Sequence, residues 1–185
     1  MELLKHDLIV IDVESNGLWG QPFAVGAVCM TAGGRVLRTF RSRCNIDEVP
    51  DEWIVENEIE DKLSHFPLVE GQRELIAGFV NWLIQEENLA AGVFVDVGFP
   101  VDTGFLGLFK LLDPQWRKYA PYPLLEVSSI IMSAGASPRV DREEYAKELI
   151  GEKTGMAHDP VWDAEVSGLC VIRALRKLQE LLGER

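Results

Sequence analysis

The chain has 185 residues, 47% hydrophobic and 26% charged, the balance of an ordinary soluble domain, and its length suits one domain spanning 1–185. Eighteen Lys and Arg stand against 30 Asp and Glu, so the formal net charge is −12 at pH 7, the wrong sign for a protein that coats nucleic acid through its overall field. The sequence lacks the ~18 unbroken apolar residues of a membrane span, an apolar signal segment and any CxxC pair among Cys29, Cys44 and Cys170, so a cytoplasmic protein with free thiols and no membrane partner is expected.

Leu8 to Val13 is a short, β-branched apolar run that predicts a central strand covered on both faces, closed by a turn at Glu14-Ser15-Asn16-Gly17. Ala24 to Met30 and Val36 to Arg43 read as two more strands, joined through Gly33 and Gly34 in a tight hairpin, so three antiparallel strands open the chain. Asp47 to Asp61 holds eight acids and no base, the composition of a solvated face. From Glu70 to Glu87 the apolar period becomes about 3.6 through Leu75, Ile76, Phe79, Val80, Leu83 and Ile84, one stripe of a helix lying on the sheet. Gly92 to Val97 is again a buried strand, placed to pair in parallel with the first. Helices are expected at Val101 to Leu112, Pro123 to Ala134, Asp141 to Gly151 and Asp163 to Leu182, the last able to begin near Asp159 as its cap.

The chemistry is carried by carboxylates. Strand alternation puts Asp12 and Glu14 on one face at the strand's C-terminal end, where two like charges cost free energy unless a cation neutralises them, and hard oxygen ligands suit Mg²⁺ or Mn²⁺. A solvent-facing strand end is the alternative. Asp102 falls in the first turn after the second buried strand, either as a ligand or as a helix-terminal acid; parallel neighbours would bring it to Asp12. His158 lies in a loop and Asp163 opens the final helix. Four acids able to hold two divalent cations, with one histidine titrating near neutral pH, are the parts of two-metal phosphodiester hydrolysis with an imidazole general base.

The segments Ile11 to Leu18 (IDVESNGL), Val101 to Leu106 (VDTGFL) and His158 to Ala164 (HDPVWDA) resemble, in order, the three motifs of the DEDD exonucleases, in the branch with histidine in its third motif. Proofreading exonuclease domains, oligoribonuclease and ribonuclease T are members. Ala24 to Val28 is similar to that family's second strand. The resemblance implies an α/β, ribonuclease-H-like mixed sheet flanked by helices, and release of nucleoside 5′-monophosphates from a 3′ end. It implies Asp12, Glu14, Asp102 and Asp163 as ligands of two Mg²⁺ or Mn²⁺ ions, His158 as general base, and Gly17 and Leu18 at the terminal nucleotide. Leu18 or Trp19 would then wedge against its base or, alternatively, pack in the core; Phe105 would pack its helix.

The chain departs from the family at Val97-Gly98, where a polar pair is common, and Asp96 nearby reads as an outer acid or an alternative ligand. Asp102 is preferred for its helix context, with Asp96 still inside the strand. Asp159 adds a charge beside His158. Net charge −12 favours single-stranded or short nucleic acid as the partner, drawn by metals and by local cations such as Arg117 and Lys118 or Arg139 and Arg142, which also read as solvated charges. A homodimer is an expectation by analogy. Rival readings are a nuclease-like module that binds without hydrolysis and a phosphodiesterase of small nucleotides.

Overall fold

The computed structural model describes residues 7–85 and 92–183. Among the described residues six strands, β1 (Leu8–Ser15), β2 (Pro22–Met30), β3 (Val36–Cys44), β4 (Leu68–Val69), β5 (Gly92–Val95) and β6 (Leu125–Glu126), form one sheet in the order β4-β3-β2-β1-β5-β6. β1 (Leu8–Ser15) and β2 (Pro22–Met30) are buried along their whole length, as expected of strands covered on both faces. β3 (Val36–Cys44) completes an antiparallel triplet, and the hairpin before it closes by Thr31 N–H donating to the Arg35 carbonyl at 2.9 Å. β5 (Gly92–Val95) pairs in parallel with β1, Leu8 opposite Gly92 through Ile11 opposite Val95. The expected ribonuclease-H-like order, antiparallel strands first and parallel strands after, is the order observed.

Helices cover both faces. α3 (Gln72–Leu83) lies on one, packing Phe79 against Phe40 and Phe105 at ring separations of 5.8 and 5.4 Å. α8 (Pro160–Gly183) runs along the other face over β1 and β2. Its start rests on backbone: a Cβ built on Gly26 would lie 2.2 Å from the Pro160 carbonyl carbon and 2.3 Å from the Val161 nitrogen. Gly26 pairs with Asp12 in the β1–β2 register, so the same close approach carries the N-terminus of α8 over Asp12.

α8 begins at Pro160, the start that the sequence allowed with Asp159 as cap: the Asp159 carboxylate accepts from the Val161 and Trp162 N–H groups. Other boundaries differ from the sequence pattern for physical reasons. β5 ends at Val95 rather than Val97, so Asp96 lies just past the strand, in the bend that leads to Gly98 at φ +54°. The helix expected at Val101 to Leu112 is α4 (Val101–Leu106) followed by a 3-10 turn at Gly107–Leu111. Pro123 to Leu124 is not helical: Leu125–Glu126 pairs with β5 as β6, and Glu126 then caps α6 (Val127–Ser133) by accepting from the Ser128 and Ser129 N–H groups. The strand pairing overrides a helical sequence there. α7 (Arg142–Ile150) matches its expected span, with Asp141 as its cap. α3 ends at Leu83, and the expected helix residues Glu86 and Glu87 lie outside the described residues. The short elements α1 (Glu52–Glu56), α2 (Ile59–Lys62), β4 (Leu68–Val69) and α5 (Pro114–Arg117) are additional to the sequence reading. All three cysteines are buried free thiols, and no helix among the described residues is long and apolar enough to cross a membrane.

Candidate active site

The C-terminal ends of β1 and β5 and the N-terminal end of α8 meet at a cleft of about 920 Å³, lined in part by Asp12, Glu14, Asp96, His158 and Asp163. Strand alternation places Asp12 and Glu14 on the face under α8, both buried. His158, at φ +65°, holds a left-handed backbone that costs a non-glycine residue roughly 1 to 3 kcal/mol and that recurs at functional sites. The conformation aims its N–H at Asp163 Oδ2, 3.0 Å away, so the loop and the first turn of α8 are fastened by the two residues that the sequence singled out.

Glu14, His158 and Asp163 each offer one ligand atom within 4.8 Å of the others, a candidate metal-coordinating cluster. His158 Nδ1 is 3.7 Å from Glu14 Oε1, an ion-pair distance longer than a full hydrogen bond. The Glu14 carboxylate, as polar partner and as charge, raises the His158 pKa above its ordinary value against the opposing effect of burial. Asp159, the neighbour suspected from sequence, is turned elsewhere: besides capping α8 it lies 3.4 Å from His65 Nε2.

Asp12 is held well above the usual carboxylate range, first by burial and then by the charges of Asp102, Glu14, Asp96 and Asp163. Asp102 is fully buried; its Oδ2 accepts from Val97 N–H at 3.0 Å, whereas its Oδ1 has no hydrogen-bond partner among the described residues. Burial, followed by the Asp96 charge, pushes its pKa up to about 8. Burial and then Glu14 push Asp163 to about 7. Carboxylates brought so close, with one buried oxygen left unbonded, fit hard divalent cations, which take oxygen ligands and reverse each of these shifts.

Asp96 is differently placed. Its Oδ1 accepts from Ser167 Oγ at 2.7 Å and from Arg142 Nε at 3.2 Å, and Arg142 also donates to Ser128 Oγ at 2.6 Å. Arg142 is thus an internal counter-charge rather than a solvated cation, and Arg117 is likewise bonded to the Leu112 and Lys110 carbonyls. Of the turn residues, Gly17 has φ +70° and lies against Asp51, where an added Cβ would stand 3.0 Å from the carboxylate. Leu18 and Trp19 are 64% and 76% exposed, so neither packs in the core; Phe105 does.

Sequence reasoning missed the part played by the acidic stretch. Asn16 accepts from Asp51 N–H at 2.6 Å and donates to the Val49 carbonyl at 3.0 Å, tying that segment to the turn after β1. Asp51 then caps α1 and sets Trp53 edge-on against His158, ring centroids 4.9 Å apart at 87°. The buried Ile54 and Ile59 anchor the segment from below. The signal was the apolar trio Trp53, Ile54 and Val55 inside the acidic run.

No family model and no curated protein matches the sequence. Solved structures do. E. coli exonuclease I, in a zinc-bound complex with single-stranded DNA, is 13% identical with a TM-score of 0.62, covering 97% of this chain and 42% of that one. The likeness is one of fold. S. pombe Pop2p, in a Mg²⁺- and Mn²⁺-bound form, gives 12% identity and a TM-score of 0.62 over 95% of this chain and 84% of that one. Exonuclease X, in complex with 5′-overhanging duplex DNA, gives 13% and 0.58 over 91% of each chain. This chain therefore spans less than half the length of the exonuclease I that it resembles, and nearly all of exonuclease X.

Proposed function

We propose that this chain is a single exonuclease-like domain of the DEDD superfamily, histidine branch, hydrolysing single-stranded or short nucleic acid from the 3′ end and releasing nucleoside 5′-monophosphates. The observation that carries the reading is the convergence of Asp12, Glu14, Asp163 and His158 in one cleft with the buried, half-unbonded carboxylate of Asp102 beside them. The similarity in fold to exonucleases solved with DNA and to Pop2p solved with Mg²⁺ and Mn²⁺ supports it.

In this reading Asp12, Glu14, Asp102 and Asp163 hold two Mg²⁺ or Mn²⁺ ions. Bound there, the ions supply a lowered water pKa and neutralisation of the charge that develops on the departing 3′ oxygen. His158 takes the proton from the attacking water, and its contact with Glu14 orients the ring for that transfer. Glu14 consequently has two duties, as ligand and as partner of the base. Trp53 packs edge-on against the ring and restricts it, and Gly17 and Leu18, which line the cleft, border the place for the terminal nucleotide.

Labelled single-stranded DNA and RNA 5-mers and 20-mers, each incubated with Mg²⁺, Mn²⁺ or chelator, test the reading. Metal-dependent, stepwise shortening from the 3′ end, slowed by a blocked 3′ hydroxyl, is expected; internal cleavage or activity in chelator overturns it. Asp12→Asn and Asp163→Asn should weaken metal binding. His158→Ala should retain metal and lose roughly 10²-fold or more in turnover.

A further inference from the structure

The proposed chemistry leaves an exposed aromatic pair without a role. Trp19, in the turn after β1, is 76% exposed, and Phe99, in the turn after β5, is 72% exposed; their rings meet edge to face at 5.3 Å and 77°. Large aromatic surfaces left in water call for an explanation more than scattered aliphatics do. These two turns follow the strands that deliver Glu14 and lead to Asp102, so the pair is built into the same two strand ends as the acids. The rings border a second cleft, of about 320 Å³, which shares Ser15, Leu18 and Val101 with the first and therefore lies directly beside it.

Charge distinguishes the two clefts. Among the described residues the lining around Trp19 and Phe99 carries no charged side chain, whereas the larger cleft is walled elsewhere by Asp51, Asp141 and Glu143, its one arginine there, Arg142, being paired with Asp96. A polyanion leaving the carboxylate site of a chain with net charge −12 meets least repulsion over the neutral aromatic wall. A ring face stacks on any base, worth roughly 1 to 3 kcal/mol per base by alanine substitution.

We propose that Trp19 and Phe99 form a stacking platform for the unpaired bases upstream of the 3′-terminal nucleotide, so that the site engages a single strand over more than one nucleotide. The inference rests on the exonuclease reading and adds to it the two residues that hold the strand upstream of the reacting nucleotide. With Mn²⁺, Trp19→Ala and Phe99→Ala should each raise KM for a single-stranded DNA 5-mer by about 10-fold, with kcat nearly unchanged, and Trp19→Phe should restore most of the loss. Hydrolysis of a chromogenic thymidine 5′-phosphate ester, which has no upstream base, should be unaffected. An equilibrium anisotropy titration of the 5′-labelled 5-mer with Ca²⁺ in place of Mn²⁺ gives a readout independent of turnover. An abasic nucleotide at one upstream position should weaken wild-type binding by a similar factor and add nothing to Trp19→Ala. Unchanged KM and unchanged anisotropy in both alanine variants would overturn the platform. If the 5-mer binds through the aromatic pair but neither substrate is hydrolysed, the catalytic reading fails and the platform stands.

Discussion

Gly26→Ala tests how the fold aligns the site. The added methyl would stand 2.2 Å from the Pro160 carbonyl carbon, 2.3 Å from the Val161 nitrogen and 2.5 Å from the Pro160 oxygen, all backbone, whereas ordinary contact begins near 3.4 Å. No rotamer change relieves backbone, so the start of α8 must lift from β2 by on the order of 1 Å. Overpacking of this kind costs roughly 1 to 3 kcal/mol, which for a chain of this size lowers Tm by about 2 to 12 °C. The catalytic effect is the sharper one. Gly26 pairs with Asp12, and α8 carries Asp163 with His158 immediately before it, so the lift separates them from Asp12 and Glu14. A 1 Å misplacement of this kind costs about 10²-fold in rate. Gly33→Ala is the control: its methyl would meet only Thr31 Oγ1, at 3.5 Å, in an open turn, and stability should stay within about 0.5 kcal/mol. Differential scanning fluorimetry and Mn²⁺-dependent hydrolysis of a single-stranded 5-mer read the two effects. Wild-type Tm and turnover in Gly26→Ala would refute the close approach; a lowered Tm with full turnover would refute the link from helix placement to chemistry.

Much of this alignment was legible in the sequence because it is written in periodicity. The apolar run Leu8 to Val13 fitted a covered strand, and alternation then put Asp12 and Glu14 on one face. Asp163 was placed at the start of the last helix by that helix's apolar stripe and was marked as a ligand only by the resemblance of His158 to Ala164 to the third motif, while parallel pairing of β5 with β1 brought the Asp96 to Asp102 turn alongside. What stayed hidden depends on contacts that leave no period. β4 and β6 are two residues long, too short to alternate, and exist because longer strands offer them an edge. Arg142 on Asp96 and Trp53 on His158 join residues 46 and 105 positions apart, through side chains whose types are equally at home in solvent. The acidic run read as a surface because composition counts its eight charges and is blind to the two hydrogen bonds of Asn16, with Asp51 N–H and the Val49 carbonyl, that tie it to the turn after β1.

Three further outcomes follow. Trp53→Ala should lower kcat by about 2- to 10-fold, the equivalent of an aromatic contact of roughly 0.5 to 1.5 kcal/mol, with little change in Tm since the ring is partly exposed; Trp53→Phe should recover most of it, and equal loss in both variants would remove Trp53 from the positioning of His158. Arg142→Ala should destabilise the protein by roughly 1 to 3 kcal/mol in urea denaturation because Asp96 is left without its counter-charge, and adding Asp96→Asn should restore part of that loss; no recovery in the double variant would locate the cost elsewhere. The pH dependence of the metal-free protein is the most direct reading of the carboxylate cluster. Asp163 and Asp102 hold their protons up to about 7 and about 8 when folded, and release them near 4 when unfolded. Across that window the folded state binds more protons than the unfolded one, so stability is greatest at the acid end and falls as pH rises from about 4 to about 8. Asp102→Asn removes one of these ionisations while keeping an oxygen to accept from Val97 N–H, so the slope should become shallower and the variant should exceed wild type at pH 8. Mg²⁺ or Mn²⁺ should act in the opposite sense, stabilising wild type most at pH 8, by about 2.7 kcal/mol at one hundred times Kd, and Asp102→Asn markedly less. A metal-free stability that rises with pH between 5 and 8, or a metal effect of equal size in wild type and Asp102→Asn, would mean that these carboxylates do not share one buried site.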